Sequence, residues 1–201
     1  MAARTDISSY LIHFTKGQKL EEAFNNLCSI ISSCTVYGSN NFIKGGSNCV
    51  CFSEAPIGCI SNGLINNEYY SKYSPFGIMV KKDWLFYHGG RPVIYQTEEE
   101  FNLLPEGQRW RHMTYNPISV PPVDFTWERE WRILTAELSI NPADCSIIMP
   151  NADWADALIM KHRDSQEWEI QEYKTIFQDE TIVELFRNDF QWTIYLLDDR
   201  D

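Results

Sequence analysis

Two acidic residues separated by one position are the side chains of this chain best placed to carry out chemistry. Glu128 and Glu130 stand in residues 127–135, a segment that otherwise contains the tryptophan, isoleucine and threonine typical of a strand. Side chains two positions apart on a strand point to the same face, so the two carboxylates are predicted to lie side by side, opposite the neighbouring tryptophans. Such a pair needs an explanation, because like charges at that spacing disfavour each other's ionised form.

The explanation is either structural or chemical. In the structural case, Glu130 pairs with a nearby guanidinium group, from Arg132 or Arg91. In the chemical case, Glu130 is the catalytic residue of a reaction that breaks a glycosidic bond. Its charge then stabilises an oxocarbenium-like transition state, while Glu128 orients or activates the acceptor. A hydrolase that uses both carboxylates as an acid pair is a third option, with the two Cβ atoms roughly 6–7 Å apart on a strand.

The elements that position these acids are short strands interrupted by short helices. Apolar and β-branched runs predict strands around Glu128 and Glu130 and at 10–15, 49–54, 76–81, 91–96, 145–149, 157–160 and 190–197. Recurrence of apolar residues every three or four positions predicts helices at 17–33 and 165–177, with shorter helical pieces at 56–66, 82–87 and 98–104. Strands and helices do not alternate regularly, which favours an α+β fold with mainly antiparallel pairing.

Length and composition indicate one folded domain spanning residues 1–201. Hydrophobic residues make up 44% of the chain and aromatic residues 14%, enough for a packed core. The chain has no apolar run of the roughly 18 residues that a membrane span needs, and its first residues lack the apolar core of a signal peptide. We therefore expect a cytoplasmic protein with no membrane partner. The six cysteines do not have the spacing of a metal site, so reduced thiols and no metal are expected.

The net charge of −11 is unevenly distributed along the chain. Residues 164–201 hold 11 acids and 3 bases, a net charge of −8, and residues 1–163 hold 17 acids and 14 bases, a net charge of −3. The acidic segment is predicted to form a helix and a closing strand of the same domain. It either is a solvated face, repels nucleic acid or docks a basic partner, while the nearly neutral remainder can meet an anionic ligand.

Three short motifs, taken in chain order, resemble the ADP-ribosyltransferase fold. His13-Phe14-Thr15 is similar to the opening strand of DarT-like members, and Val50-Cys51-Phe52-Ser53-Glu54 is similar to the second motif strand. Glu128-Arg129-Glu130 matches the E-x-E form in which the second glutamate is catalytic. This resemblance implies two mainly antiparallel sheets that form a split β-sandwich with flanking helices.

A second resemblance covers roughly residues 10–135. The segments Cys-Phe-Ser-Glu-Ala-Pro-Ile, Tyr-Ser-Pro-Phe-Gly-Ile-Met-Val-Lys-Lys-Asp-Trp-Leu, Gly-Gly-Arg-Pro-Val-Ile-Tyr and Trp-Glu-Arg-Glu-Trp-Arg look like the AbiGi abortive-infection family and related proteins with W-x-x-E-x-E-W-R. These occur in bacterial anti-phage and toxin–antitoxin contexts. The AbiGi family is itself described as an antitoxin, so this resemblance also implies a possible cognate toxin or antitoxin partner.

The resemblance to ADP-ribosyltransferases assigns roles to particular residues. NAD, as a substrate, would meet His13, Phe14 and Thr15 on the first strand, and Ser53 and Glu54 on the second. Tyr73 would stack on nicotinamide, with Tyr69 and Tyr70 as competing choices. For each of these residues the alternative is a structural role, since a histidine on an apolar strand is commonly a core residue and a tyrosine is commonly semi-buried packing.

Four further residues have the chemistry to bind phosphates or bases. Arg91, which opens a strand after two glycines, suits the diphosphate of NAD. Arg109, Trp110 and Arg111 form a basic and aromatic cluster suited to an acceptor nucleic acid. The structural alternatives are pairing of Arg91 with an acid and burial of Trp110.

Together these features favour an NAD-dependent ADP-ribosyltransferase, a toxin or effector of anti-phage defence. It would transfer ADP-ribose to a macromolecule and release nicotinamide, with RNA or DNA slightly favoured over protein as the acceptor. The alternative is a non-catalytic AbiGi-like antitoxin or interaction protein on the same fold. The two differ in whether His13, Ser53, a tyrosine from 69–73 and Glu130 converge on one cleft.

Overall fold

The computed structural model describes residues 7–58, 74–177 and 180–198, and the helices and strands named below belong to these ranges. The strands are β1 (Tyr10–Phe14), β2 (Thr35–Tyr37), β3 (Cys49–Ser53), β4 (Gly77–Lys81), β5 (Arg91–Pro92), β6 (Ile94–Gln96), β7 (His112–Thr114), β8 (Glu130–Leu134), β9 (Glu137–Ser139), β10 (Cys145–Met149) and β11 (Thr193–Leu196). The α-helices are α1 (Leu20–Ser33), α2 (Lys82–Tyr87), α3 (Ala152–Ile176) and α4 (Glu180–Glu184). Short 3₁₀ helices cover Glu99–Leu103, Glu106–Arg111 and Thr126–Glu128.

Seven of these strands form one sheet in the order β11-β10-β4-β1-β3-β8-β5. Its neighbours are antiparallel except β10 and β11, which run parallel. The α+β class with a mainly antiparallel sheet is therefore confirmed. The pair of sheets expected for a sandwich is not what the described residues form, because the strands that leave the main sheet make only two-stranded pairs, β2 with β9 and β6 with β7.

The main sheet is weakly joined in its middle, between β1 and β3. Five residue pairs register β1 with β4 and five register β3 with β8, but Ile12 and Ser53 are the only registered pair between β1 and β3. Next to that pair a side chain joins the two strands, because His13 Nδ1 donates to the Cys51 carbonyl oxygen at 2.8 Å. A side chain thus satisfies a carbonyl that the strand ladder leaves open.

One face of the sheet is covered by α1 and α3. Helix α1 buries Ala23, Phe24 and Leu27, which recur with the three-to-four-residue spacing of one helix face. Phe24 packs against Phe76 and Trp154, with ring centroids 5.8 and 4.9 Å away. These contacts hold both helices on the strand residues of the main core, as the 3.6-residue period of α1 predicted.

The opposite face of the sheet carries two smaller apolar clusters. One contains Ile12, Phe14, Met79 and Ile148. The other contains Ile43, Cys49 and Trp110 and lies under the 3₁₀ helix Glu106–Arg111. Because both faces are buried at the centre, β1 and β4 read as nearly continuous apolar runs rather than as alternating ones.

The strand predicted at 157–160 is wrong, because these residues lie within helix α3. Four consecutive apolar residues do not distinguish a buried strand from a helix segment. The helix begins at Asn151, whose side chain accepts a hydrogen bond from the Trp154 amide, and it buries Ala155 and Leu158 at helical spacing. The N-cap is the signal that identifies the helix.

The other predicted elements differ less from the structure. Residues 91–96 form two strands, β5 and β6, in place of one. The described part of the acidic segment holds the second half of α3, the short helix α4 and strand β11, which pairs with β10. The predicted helix at 56–66 lies mostly outside the described residues. Within the described part of the chain, no helix is both long and apolar enough to cross a membrane.

Candidate functional site

Glu128 and Glu130 do not share a strand. Thr126–Glu128 forms a 3₁₀ turn, and Arg129 has a φ of 45°, in the left-handed region. The strand begins only at Glu130, so the predicted alternation of faces across 127–131 is wrong. A left-handed residue between the two acids breaks the two-residue period on which that prediction rested. Both acids are nevertheless buried, with 1% and 6% of their surfaces exposed.

Glu130 is held by Arg132, which points to the same face of β8. Arg132 Nε donates to Glu130 Oε1 at 2.8 Å and Arg132 Nη2 to Oε2 at 3.3 Å. Its Nη1 donates to the carbonyls of Trp110 and His112, at 2.8 and 2.9 Å. Burial opposes the charge of Arg132, but the charge and hydrogen bonds of Glu130 outweigh it and raise the pKa of Arg132. Glu130 is thus paired with Arg132, the partner named in the structural alternative.

Three titratable groups around this pair, one buried and two half-buried, have raised pKa values that keep them neutral. Burial, followed by the charge of Glu130, raises the pKa of the Cys51 thiol to about 12. Burial also raises the pKa of Cys49 to about 11 and that of Tyr95 to about 12. The Tyr95 hydroxyl accepts from the Glu130 amide at 3.2 Å and donates to the Phe125 carbonyl at 3.1 Å. A protonated thiol is a weak nucleophile, so this pocket holds no activated cysteine.

Ser53 lies beside Glu130, whereas Glu54 contacts the next residue of β8, Trp131. Ser53 is the registered partner of Glu130 across β3 and β8. Its hydroxyl donates to the Glu128 carbonyl at 3.0 Å and ties the turn before β8 to the end of β3. Glu54 accepts from Trp131 Nε1 at 2.8 Å and forms an ion pair with Lys82. Both side chains therefore have structural partners.

His13 lies on the opposite face of the sheet from Glu130. Ile12, Ser53 and Glu130 are registered neighbours and share one face, so His13, one position along, points to the other. There its ring contacts Phe52 edge-on, with the centroids 5.8 Å apart. The proposed contacts to NAD are thus divided between two faces and do not converge on one cleft.

The remaining NAD-contact residues have structural surroundings. Phe14 is buried in the apolar cluster opposite His13. The Thr15 hydroxyl donates to the Ala23 carbonyl at 2.9 Å and links the end of β1 to α1. Tyr73 and its competitors Tyr69 and Tyr70 lie outside the described residues.

The burial of His13 has a consequence for stability that can be measured. Desolvation lowers the pKa of His13 below its usual 6.5, so at acidic pH the unfolded chain binds a proton here that the folded chain binds less well. Stability should therefore fall as pH drops through about 6.5 towards the lower folded pKa. In a His13→Asn variant, whose amide can keep the donor to Cys51, this part of the loss should disappear. Urea titrations of both proteins at about pH 7.5 and about pH 5.5 measure the difference, and equal losses would contradict the assignment.

The three basic residues proposed for phosphate contacts lie outside the core, whereas Trp110 lies inside it. Arg91 donates to the carbonyls of Phe86 and Gly90, and Arg111 to the carbonyl of Pro92. Arg109 Nε donates to the Leu104 carbonyl, at 3.3 Å. Trp110 is 8% exposed, and its Nε1 donates to the Gly107 carbonyl, so its ring is not presented to a base.

A groove that sequence reasoning did not define lies at one end of the sheet's central strands, where β1 begins and β4 ends. It has a volume of about 540 Å³ and is lined by Ile7, Ser8, Ser9, Tyr10, Lys81, Lys82, Asp83, Phe86, Tyr87 and Trp131. The signal was present in the six residues of α2, which place two consecutive aromatic residues, Phe86 and Tyr87, where only Leu85 is buried. A surface helix turns one stripe of side chains to the core, so three successive large residues do not all face it.

No group of three or more His, Cys, Asp or Glu side chains within the described ranges is arranged to hold a metal ion. Comparison of the chain with protein-family models, curated proteins and solved structures finds no match.

Proposed function

We propose that this chain is a non-catalytic interaction protein on an ADP-ribosyltransferase-like fold, acting as an antitoxin or partner-holding component of bacterial anti-phage defence. The motif resemblance to the AbiGi family suggests that setting. The fold is supported by the single registered pair between β1 and β3. The proposed fold would need the sheet to split at that junction, between the four strands β11-β10-β4-β1 and the three strands β3-β8-β5, which here form one sheet.

The observation that carries the proposal is the environment of Glu130. A carboxylate that stabilises an oxocarbenium-like ribose must reach the substrate with an oxygen that is not already committed. Both oxygens of Glu130 accept hydrogen bonds from Arg132, and the side chain is 8% exposed. With its charge offset by the guanidinium and His13 on the other face, Glu130 serves the fold rather than a reaction.

The test is an assay of NAD turnover combined with a measurement of stability. The purified protein, incubated with NAD and a cell lysate, should release no nicotinamide above the buffer control and should label no macromolecule. Glu130→Gln should leave that result unchanged and lower the midpoint of urea unfolding, because it weakens a buried ion pair. Nicotinamide release that is lost in Glu130→Gln while the unfolding midpoint stays the same would overturn the proposal.

A second candidate function is the NAD-dependent ADP-ribosyltransferase itself, with Glu130 catalytic and a nucleic acid or protein as acceptor. One specific observation favours it: Ser53 and Glu130 are direct neighbours on adjacent strands, next to the weak junction with β1. NAD would then approach from the face of Ser53, and Arg132 would have to release one oxygen of Glu130. The same assay distinguishes the candidates, since this one requires nicotinamide release.

A further inference from the structure

Three cations in or near the groove form no ion pair with any described residue, although the chain carries a net charge of −11. They are Lys81, Arg91 and Arg111, whereas Lys44, Lys82, Arg132 and Arg187 all pair with acids. Arg91 is held by two backbone carbonyls, at 2.9 and 2.7 Å. Arg111 is held by the Pro92 carbonyl and by Gln108 Oε1, at 3.0 and 2.8 Å. Uncharged acceptors thus orient both guanidinium groups while leaving their charge uncompensated.

Arg91 and Arg111 are close enough to affect each other. Arg111 Nε donates to the carbonyl of Pro92, the residue next to Arg91. Burial and then the charge of Arg91 lower the pKa of Arg111. Two like charges fixed near each other repel, and a bound anion between them removes that repulsion and gains charge-assisted hydrogen bonds. The pair is therefore suited to a phosphate group.

Aromatic rings connect this pair to the groove. The Arg91 guanidinium lies 4.1 Å from the centroid of the Phe86 ring, and Phe86 also lines the groove. Next to it, Tyr87 is 85% exposed, and across the groove Tyr10 is 37% exposed. Lys81 is exposed at the end of β4 and lines the groove, as the registered partner of Tyr10. The groove also holds Lys82 and Asp83, but Lys82 is neutralised by Glu54 and the Asp83 carboxylate accepts from the Trp84 amide.

We infer that this basic-aromatic surface, made of Arg111, Arg91, Phe86, Tyr87, Tyr10 and Lys81, binds single-stranded nucleic acid. The inference goes beyond the proposed function, because it names a partner and is tested independently of NAD turnover. Unpaired bases stack on exposed aromatic faces, and phosphates meet the unpaired cations, which is the combination that sequence-tolerant single-strand binders use. A duplex hides the base faces and leaves only the phosphate contacts, so it should bind more weakly.

The experiment is a fluorescence anisotropy titration of labelled oligo(U), oligo(dT) and a duplex of equal length with the full chain. Oligo(U), oligo(dT) or both should bind, and each more tightly than the duplex. Tyr87→Ala should weaken binding about tenfold, since it removes one stacking ring. Arg91→Gln with Arg111→Gln should reduce the slope of log K against log salt by about 1.4, at about 0.7 for each lost phosphate contact.

Matched variants on another part of the surface provide the control. Trp168→Ala removes an aromatic ring that is 70% exposed on the acidic part of α3, and Lys19→Gln removes an exposed cation before α1. Both should bind as the unchanged protein does. Lys81→Gln, which alters an exposed side chain, should weaken binding without changing the unfolding midpoint.

Three outcomes would overturn the inference: no binding at low salt, duplex binding as tight as single-strand binding, or Tyr87→Ala and Lys81→Gln variants that bind like the unchanged protein. NAD is absent from this titration, so its failure is distinguishable from failure of the proposed function. If nicotinamide were released in the other assay, single-strand binding at this surface would still stand or fall on the anisotropy data alone.

Discussion

Replacing Arg132 by methionine should lower the free energy of unfolding by about 3–5 kcal/mol, the range for breaking a buried ion pair from one side. The change leaves the buried Glu130 carboxylate without its cation, and it removes the donor that satisfies the carbonyls of Trp110 and His112. Those two carbonyls connect β8 to the segment that covers it. Urea unfolding at neutral pH, followed by tryptophan fluorescence, measures the loss.

Two further variants separate the ion pair from other effects. Arg91→Met removes a half-buried guanidinium that pairs with no described acid, and it should cost about 1 kcal/mol or less. The double change Glu130→Met with Arg132→Met removes both charges, so it should be more stable than Arg132→Met alone. If Arg132→Met cost no more than Arg91→Met, the structural assignment of Glu130 would be wrong.

The strands of the sheet could be predicted because their apolar patterns are strong and local. Residues 10–15, 49–54, 76–81 and 145–149 all contain the strands found there, since runs of buried β-branched and aromatic residues have few alternatives. The 157–160 run was ambiguous, because a short apolar run has more than one possible structure. Four apolar residues fit a helix equally well, and only the cap at Asn151 decides between them.

The candidate site was harder to predict, because it depends on which face each side chain occupies. The motif E-x-E implies a shared face only if the backbone is extended throughout, and the left-handed Arg129 removes that condition. Likewise, the opposite faces of His13 and Glu130 follow from the register of β1, β3 and β8, which pairs residues 41 and 77 positions apart in sequence. Register depends on the partner strand as well as on the local hydrophobic pattern, so the sequence of one strand does not show which distant residue lies opposite each position.

For the groove, the sequence showed the types of the residues but not their proximity. The exposed aromatic residues of α2 could be read from the sequence, and Arg91 and Arg111 were recognised as phosphate-binding candidates. Their proximity to one another and to Phe86 could not be read, because residues 20 positions apart are brought together by β5 and the 3₁₀ helix Glu106–Arg111. The sequence thus identified candidate phosphate-binding residues one by one, but it did not show that two of them lie together.

A single methyl group at Gly77 should also be strongly destabilising. Gly77 sits in β4 between Phe14 of β1 and Ile148 of β10, in the centre of the sheet. A Cβ built there would lie 2.6 Å from the His13 carbonyl oxygen and 3.0 Å from Ile12 Cγ2. The nearer atom belongs to the backbone of a central strand, so it cannot move aside as the end of a side chain would.

Gly77→Ala should therefore lower the free energy of unfolding by about 3 kcal/mol, at the upper end of the cost of overpacking a core. Gly107→Ala is the matched control, because a Cβ at Gly107 meets nothing within 4 Å and its backbone does not need a positive φ. That control should be neutral or slightly stabilising, since alanine restricts the unfolded chain more than glycine does. β1 pairs with β4 around Gly77, but it meets β3 at only one registered pair. The amide of Thr15, which donates to the Phe76 carbonyl, should therefore exchange its hydrogen faster in the Gly77 variant. Equal unfolding midpoints for the two variants would contradict the predicted clash, 2.6 Å, between a Cβ at position 77 and the His13 carbonyl oxygen.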